Sequence, residues 1–181
     1  MKLDDITSLV RENVLSLKPY RSARDDFQDG MLLDANENSF GAPFNEAAGL
    51  NRYPDPYQKK LRTLIANYRS VAIDQVFTGV GSDEAIDLLI RVFCKPGRDH
   101  IITTPPTYGM YNVAASVNDV EVREVLLTDE FQPDVPAILE QANAHSKILF
   151  LCSPNNPTGN VMGRESVKTL LEEFAGIIVV D

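Results

Sequence analysis

The sequence predicts an α/β protein of three layers, in which helices cover both faces of a mainly parallel sheet and an N-terminal helix and arm come first. From Tyr57 onward, apolar strand-like runs alternate with segments of helical periodicity, which is typical of right-handed crossovers between parallel strands. The runs at 148–152 and 177–180 are apolar throughout, as expected for parallel strands buried on both faces. A length of 181 residues, 44% of them hydrophobic, suits one globular domain.

The part of the chain before Tyr57 is expected to be largely irregular. Leu3–Leu17 is predicted to form a short helix, followed by a polar arm at 18–30 and a short extended segment at 31–35. From there to Pro56, asparagine, glycine and proline residues oppose regular structure, and so long a loop is often functional. We therefore divide the chain into 1–56, an N-terminal helix, arm and loop, and 57–181, the first part of the layered domain.

Regular elements are predicted in alternation after the loop. Helix 57–68 has apolar residues on one face, and helix 82–94 carries an i, i+3, i+4, i+7 stripe before Lys95-Pro96-Gly97 ends it. The remaining predicted elements are strand 101–104, helix 108–117, strand 122–127, helix 136–144, strand 147–152, helix 165–175 and strand 176–180. Ligands of such sheets bind beyond the carboxyl ends of the strands, so the residues that follow each strand are the candidate site residues.

Composition excludes several classes of function. A net charge of −9 and a pI near 4.7 argue against binding to nucleic acid or to an anionic membrane. The first residues lack the pattern of a signal peptide, and no apolar run is long enough to span a membrane, so we expect a cytoplasmic protein. Cys94 and Cys152 lie among apolar residues and are expected to be buried thiols; with only two histidines besides, a structural zinc site is not expected.

The segment from Gly79 to Asp83 is a candidate phosphate-binding loop. Its two glycines allow a sharp turn, and Ser82 could cap the helix that follows, whose first N–H groups and positive dipole end suit an anion. The alternative is a loop and a capped helix without a ligand. The pattern lacks the Gly-Lys-Ser/Thr ending of a nucleotide P-loop.

Three further motifs follow predicted strands. In Pro105–Tyr108, an aromatic ring beyond a strand end could stack on a flat heterocycle; the alternative is a core tyrosine. In Ser153–Gly159, Asn156 precedes a proline and is therefore extended, so its amide could bind a ligand rather than only form a turn. Asp181 follows four apolar residues, and a carboxylate at the end of a buried strand is costly unless it meets a cation or several donors. A protonated ring nitrogen would serve as the cation; the alternative is that Asp181 caps a helix just beyond the strand.

Together these motifs resemble the fold-type I aminotransferases, which use pyridoxal 5′-phosphate (PLP). The resemblance covers most of the chain, and Asn-Asn-Pro-Thr-Gly followed by a strand ending in Asp181 is specific to that superfamily. The stretches 33–38, 51–56, 81–86 and 151–156 are similar to the histidinol-phosphate aminotransferase family of class II. The chain would then be the front part of the large PLP-binding domain, with 1–56 supplying the substrate and dimer loop.

The resemblance implies a role for each motif residue. Ser82 and Asp83 would hold the cofactor phosphate, Tyr108 would stack on the pyridine ring, Asn156 would bind the ring hydroxyl, and Asp181 would pair with the protonated ring nitrogen. Tyr53 would reach the cofactor phosphate of the partner subunit in a homodimer. Tyr20 and Asn36 would border the substrate.

The implied reaction moves an amino group between histidinol phosphate and 2-oxoglutarate in histidine biosynthesis, with imidazole-acetol phosphate and glutamate as the other reactants. The lysine that carries the cofactor as a Schiff base would lie beyond Asp181, so we expect the 181-residue chain to be incomplete and inactive alone. Lys147 and Lys168 are weak substitutes. The open alternatives are an aromatic amino acid aminotransferase, a decarboxylase of a phosphorylated amino acid, and a noncatalytic chain that dimerises or binds the cofactor phosphate.

Overall fold

The structure, a computed structural model, describes residues 5–22, 25–26, 30–42 and 50–181. By the contacts among its residues the chain forms two units, one of Met1–Leu17 with Gly79–Asp181 and the other of Lys18–Thr78. The boundary predicted after residue 56 is a functional division and stays a prediction.

A parallel sheet forms the centre of the first unit. Its strands run in the order β2-β1-β3-β4, and every neighbouring pair is parallel, as the apolar runs predict. The strands are β1 (His100–Thr103), β2 (Glu121–Glu124), β3 (Ser146–Leu151) and β4 (Ile177–Val180). The helices described are α1 (Glu12–Leu15), α2 (Lys59–Arg69), α3 (Gly81–Phe93), α4 (Met110–Val117), α5 (Val135–Gln141) and α6 (Arg164–Glu173), with 3₁₀ turns at Ile6–Leu9 and Ile73–Gln75.

The sheet has a hydrophobic core on each face. Successive strand side chains point to opposite faces, so Ile101 and Phe150 pack with α3 and α4, whereas Ile102 and Leu149 pack with α5 and α6. All four side chains are fully buried. Burying each contributes about 1.5–3 kcal/mol relative to exposure, and this packing produces the three layers that the sequence predicts.

The predicted N-terminal helix is wrong as a single element. A 3₁₀ turn ends before Val10, which is extended, and only four residues of α-helix follow. The interruption has a tertiary cause, because the Arg11 backbone N–H donates to the Val92 carbonyl (3.1 Å) and Arg11 Nη1 donates to the Arg91 carbonyl (2.7 Å). Arg11 thereby satisfies carbonyl groups that the end of α3 leaves free. Residues 31–35, predicted to be extended, carry no strand.

Two strands differ from their predictions. β2 is shorter than 122–127, although the Val125 and Leu127 N–H groups still donate to the carbonyls of Thr103 (3.0 Å) and Pro105 (2.8 Å). β4 was predicted to be buried on both faces, but its residues are half-buried or exposed because it lies at the edge of the described sheet and pairs only with β3. The apolar run in β3 is buried as predicted.

Candidate functional site

The carboxyl ends of β1, β3 and β4 lie at one edge of the sheet, where the predicted motifs of the first unit meet. Asp181 directly follows β4, and its backbone N–H donates to the Leu151 carbonyl (3.0 Å). Its own carbonyl accepts from the Ser153 N–H (2.7 Å). The turn after β3 and the end of β4 are therefore held side by side.

The amino end of α3 presents free backbone donors, but its cap differs from the prediction. The residue before the helix is Val80, and Ser82 already lies inside the first turn, so Ser82 does not cap the helix. Val80 has no side chain that could cap α3, and Glu84 Oε2 accepts from the Val80 N–H (2.6 Å), just before the helix. Gly81 has a φ of +75° and no atom within 4 Å of a built Cβ, so a side chain there would meet open space but a strained backbone.

Tyr108, in the loop after β1, links α3 to α4. Its hydroxyl donates to Asp83 Oδ1 (3.1 Å), and this hydrogen bond is the main cause of a raised Tyr108 pKa. The ring packs edge-on against Tyr111, with 5.6 Å between centroids and an interplanar angle of 87°. Tyr108 is half-buried, and Ser82 and Asp83 are exposed. Tyr108 and Asp83, which the resemblance assigns to the cofactor ring and phosphate, are therefore in contact and open to a ligand.

Sequence reasoning missed Tyr111, the residue that contacts Asp181. The Tyr111 hydroxyl donates to Asp181 Oδ2 (2.8 Å), and its fully buried ring stacks on Phe150 with 4.6 Å between centroids. Burial first, and then the hydrogen bond to Asp181, raises the Tyr111 pKa far above the usual tyrosine value, so the group remains a donor. The only signal in the sequence is its spacing, three residues after Tyr108, which suits one helix face.

The two asparagines of the Asn-Asn-Pro-Thr-Gly motif differ sharply in environment. Asn155 is buried, and its Nδ2 donates to the Pro106 carbonyl (2.9 Å) and to Thr158 Oγ1 (2.7 Å), which ties the loop after β3 to the loop after β1. Asn156 is exposed, and its side-chain amide has no hydrogen bond within the described part of the chain. Asn156 is therefore available to a ligand.

The other three predicted residues lie in the second unit. Tyr20, Asn36 and Tyr53 are all exposed. Glu37 joins the two predicted loops of this unit, because its carboxylate accepts from the Tyr53 backbone N–H (2.7 Å) and from Arg52 Nη1 (2.7 Å). The structure thus brings the Asn-Glu-Asn and Asn-Arg-Tyr-Pro stretches together, as two parts of one loop system.

Of the two candidate lysines, the one in β3 lies away from the carboxyl edge of the sheet. Lys147 is the second residue of β3, about 13 Å from Leu151 at about 3.3 Å per residue, and its Nζ donates to the Ala144 carbonyl (3.0 Å). Lys168 is exposed on α6.

The cysteines are buried, as predicted, and burial raises the pKa of the Cys94 thiol to about 12. Among the described residues, no helix has the length and apolar character needed to cross a membrane.

Comparison with known families gives a match over residues 14–181 to the model described as aminotransferase class I and II. The chain belongs to this aminotransferase family. It is 52% identical to the histidinol-phosphate aminotransferase of Flavobacterium johnsoniae over the whole chain, but it covers 52% of that protein. The chain thus spans about half the length of the curated relatives it matches.

Solved structures give the same fold for this aminotransferase chain. Tyrosine aminotransferase from Leishmania infantum matches 74% of the chain with a TM-score of 0.67 and 21% identity, and the match covers 40% of that protein. Cystalysin from Treponema denticola, whose structure contains PLP, matches 72% of the chain with a TM-score of 0.60 and 22% identity, covering 36% of that protein. The fold-type I prediction is confirmed.

Proposed function

We propose that this chain supplies the front part of a PLP-dependent aminotransferase that acts on histidinol phosphate. The observation that carries the proposal is the arrangement at the carboxyl edge of the sheet, where the carboxylate of Asp181, the ring of Tyr108 and the amino end of α3 belong to one unit. The similarity to histidinol-phosphate aminotransferases supports the choice of substrate.

The residues present fit the phosphate of the cofactor. The first N–H groups of α3 have no partner within the helix, and the Ser82 hydroxyl stands beside them. The carboxylate of Asp83 would repel a phosphate, but its Oδ1 accepts from Tyr108. Asp83 would therefore contribute its backbone N–H and not its side chain, and Glu84 is engaged with Val80.

The residues also fit the ring. Tyr108 offers a partly exposed aromatic face, Asn156 offers an unpaired amide for the ring hydroxyl, and Asp181 offers a carboxylate for the ring nitrogen. PLP, when bound, supplies an electron sink that stabilises a carbanion at the substrate α-carbon. The negative charge of Asp181 favours the protonated ring nitrogen, and Tyr108 and Asn156 fix the orientation of the ring.

The proposal leaves the proton-transferring lysine outside this chain. Lys147 is poorly placed to serve, because it is the second residue of β3 and its Nζ donates to the Ala144 carbonyl, and Lys168 is an exposed residue of α6. We therefore expect the 181-residue chain alone to bind the cofactor noncovalently and not to transaminate.

Partners and location complete the proposal. Tyr53 would bind the cofactor phosphate of a partner subunit in a homodimer, and the exposed Tyr20 and Asn36 would border the substrate. The substrates would be histidinol phosphate and 2-oxoglutarate, with the reverse direction using imidazole-acetol phosphate and glutamate. A cytoplasmic location stays a prediction.

The test is transamination by the longest natural polypeptide that contains this sequence, with the 181-residue chain as a separate sample. We expect the longer protein to convert histidinol phosphate faster than phenylalanine or tyrosine, and the chain alone to show no turnover. Asp181→Asn should lower turnover at least about 100-fold, as loss of a strong electrostatic contact at a reacting group does. Asp129→Asn, at an exposed carboxylate, is the matched control.

Three results would contradict the proposal. A preference for aromatic amino acids would favour the hypothesis of an aromatic amino acid aminotransferase, and release of CO₂ would favour the hypothesis of a decarboxylase. Full activity in the Asp181→Asn variant would remove the role of that carboxylate.

A further inference from the structure

The carboxylate of Asp181 is held by a single neutral donor. Its Oδ2 accepts from the Tyr111 hydroxyl at 2.8 Å. In the described part of the chain, no arginine, lysine or histidine forms an ion pair with Asp181, and no donor reaches Oδ1. One oxygen is therefore fixed while the other is open.

The donor itself is rigid. Tyr111 has no exposed surface, stacks on Phe150 at an interplanar angle of 14°, and meets the edge of Tyr108 at 87°. Phe150 lies in β3 and Tyr111 in the first turn of α4, so two elements of the core determine where the hydroxyl lies. A donor fixed by packing fixes its acceptor as well.

We propose that Tyr111 is a positioning residue that holds Asp181 Oδ2 and turns Oδ1 toward the cationic ring nitrogen of the cofactor. This inference rests on the proposed function. A phenol suits the role because it orients the carboxylate without adding positive charge, so the full negative charge remains available to the ring. An arginine or lysine in the same place would neutralise part of that charge.

Tyr111 does not transfer the proton itself. Burial and its hydrogen bond keep the Tyr111 pKa far above the usual tyrosine value, so the hydroxyl stays protonated at any working pH. The alternative is a core tyrosine whose hydroxyl merely found an acceptor. That alternative predicts a loss of stability on replacement, but no change in how a bound pyridine ring holds its proton.

The experiment uses the full chain and pyridoxamine 5′-phosphate, a probe that needs no lysine for binding. The variants are Tyr111→Phe, which keeps the ring stack, and Asp181→Asn, with Tyr68→Phe as the control at an exposed tyrosine. Two quantities are measured for each, the Kd of the probe and the pH midpoint at which the bound ring nitrogen loses its proton, followed by absorbance. The chain has no tryptophan, which simplifies the optical signals.

Tyr111→Phe is expected to raise the Kd of the probe about 3- to 10-fold, which corresponds to the loss of one positioned hydrogen bond. It is also expected to lower the pH midpoint of the bound ring nitrogen. Asp181→Asn should lower the midpoint further, and Tyr68→Phe should match the unmodified chain. If Tyr111→Phe loses its fold by circular dichroism, Phe150→Leu replaces it in the comparison. This variant keeps the Tyr111 hydroxyl but removes the ring on which Tyr111 stacks, so its midpoint should lie between those of the unmodified chain and Asp181→Asn.

The outcomes separate the two proposals. An unchanged or higher midpoint in a folded Tyr111→Phe chain, with Asp181→Asn lowered, overturns the positioning role and leaves the cofactor site standing. A Phe150→Leu midpoint at or above that of the unmodified chain also overturns it. If the unmodified chain does not bind the probe, or if Asp181→Asn has no effect, the proposed cofactor site fails and the inference fails with it.

Discussion

Replacing the two neighbouring asparagines of the Asn-Asn-Pro-Thr-Gly motif should separate stability from ligand binding. In Asn155→Ala, the Pro106 carbonyl and the Thr158 hydroxyl each lose a hydrogen bond from Nδ2, at 2.9 and 2.7 Å. Each such bond contributes about 1 kcal/mol net, and buried groups left unpaired cost more. Part of this loss is offset because the substitution also removes Asn155 Oδ1, which is buried without a hydrogen-bond partner among the described residues. We therefore expect a loss of about 2 kcal/mol in the free energy of unfolding.

Asn156→Ala is the matched control in this pair, because the side chain is exposed and forms no hydrogen bond in the described part of the chain. Its effect on stability should stay within about 0.5 kcal/mol, as for other surface substitutions. Urea unfolding followed by circular dichroism measures both variants, with equal m-values as the check on comparability. The affinity for pyridoxamine 5′-phosphate should show the reverse order, with the larger loss in Asn156→Ala. Equal destabilisation by the two variants, or a loss below about 0.5 kcal/mol in Asn155→Ala, would refute this reasoning.

Three further predictions concern the core of the same unit. Ile90→Ala should reduce the free energy of unfolding, measured by urea titration, by about 2–5 kcal/mol, because Ile90 is fully buried. Leu88→Ala on the same helix is the control; because Leu88 is 37% exposed, it should cost about 1 kcal/mol or less. Burial lowers the His100 pKa below its usual 6.5, so the unfolded state binds this proton more readily than the folded state does. The contribution of His100 to stability should therefore be constant above about pH 6.5 and fall as the pH drops below it, and His100→Gln should flatten that fall in urea unfolding at a series of pH values. The Cys94 thiol, with its pKa raised to about 12, should react with a thiol reagent at pH 8 only on unfolding, so a reaction rate independent of urea would contradict its burial.

The sequence by itself determined the layered fold and the positions of the candidate site residues. Hydrophobic periodicity is a local property, so β3 and α3 were predicted to within a residue or so of their bounds. Because parallel strands end at a common edge, the residues that follow them are expected to lie near one another. Tyr108 packs against Tyr111, whose hydroxyl donates to Asp181. The aminotransferase family was also recognisable from these motifs, and the match over residues 14–181 confirms it.

Only the tertiary structure decided which residues hold the site in place. Tyr111 and Asp181 are 70 positions apart, and no local pattern indicates that one donates to the other. The same holds for Arg11, whose contacts with the end of α3 divide the predicted N-terminal helix. Strand order is a further example: β1 lies between β2 and β3 in the described sheet, because pairing depends on how distant segments pack and not on the composition of any one strand.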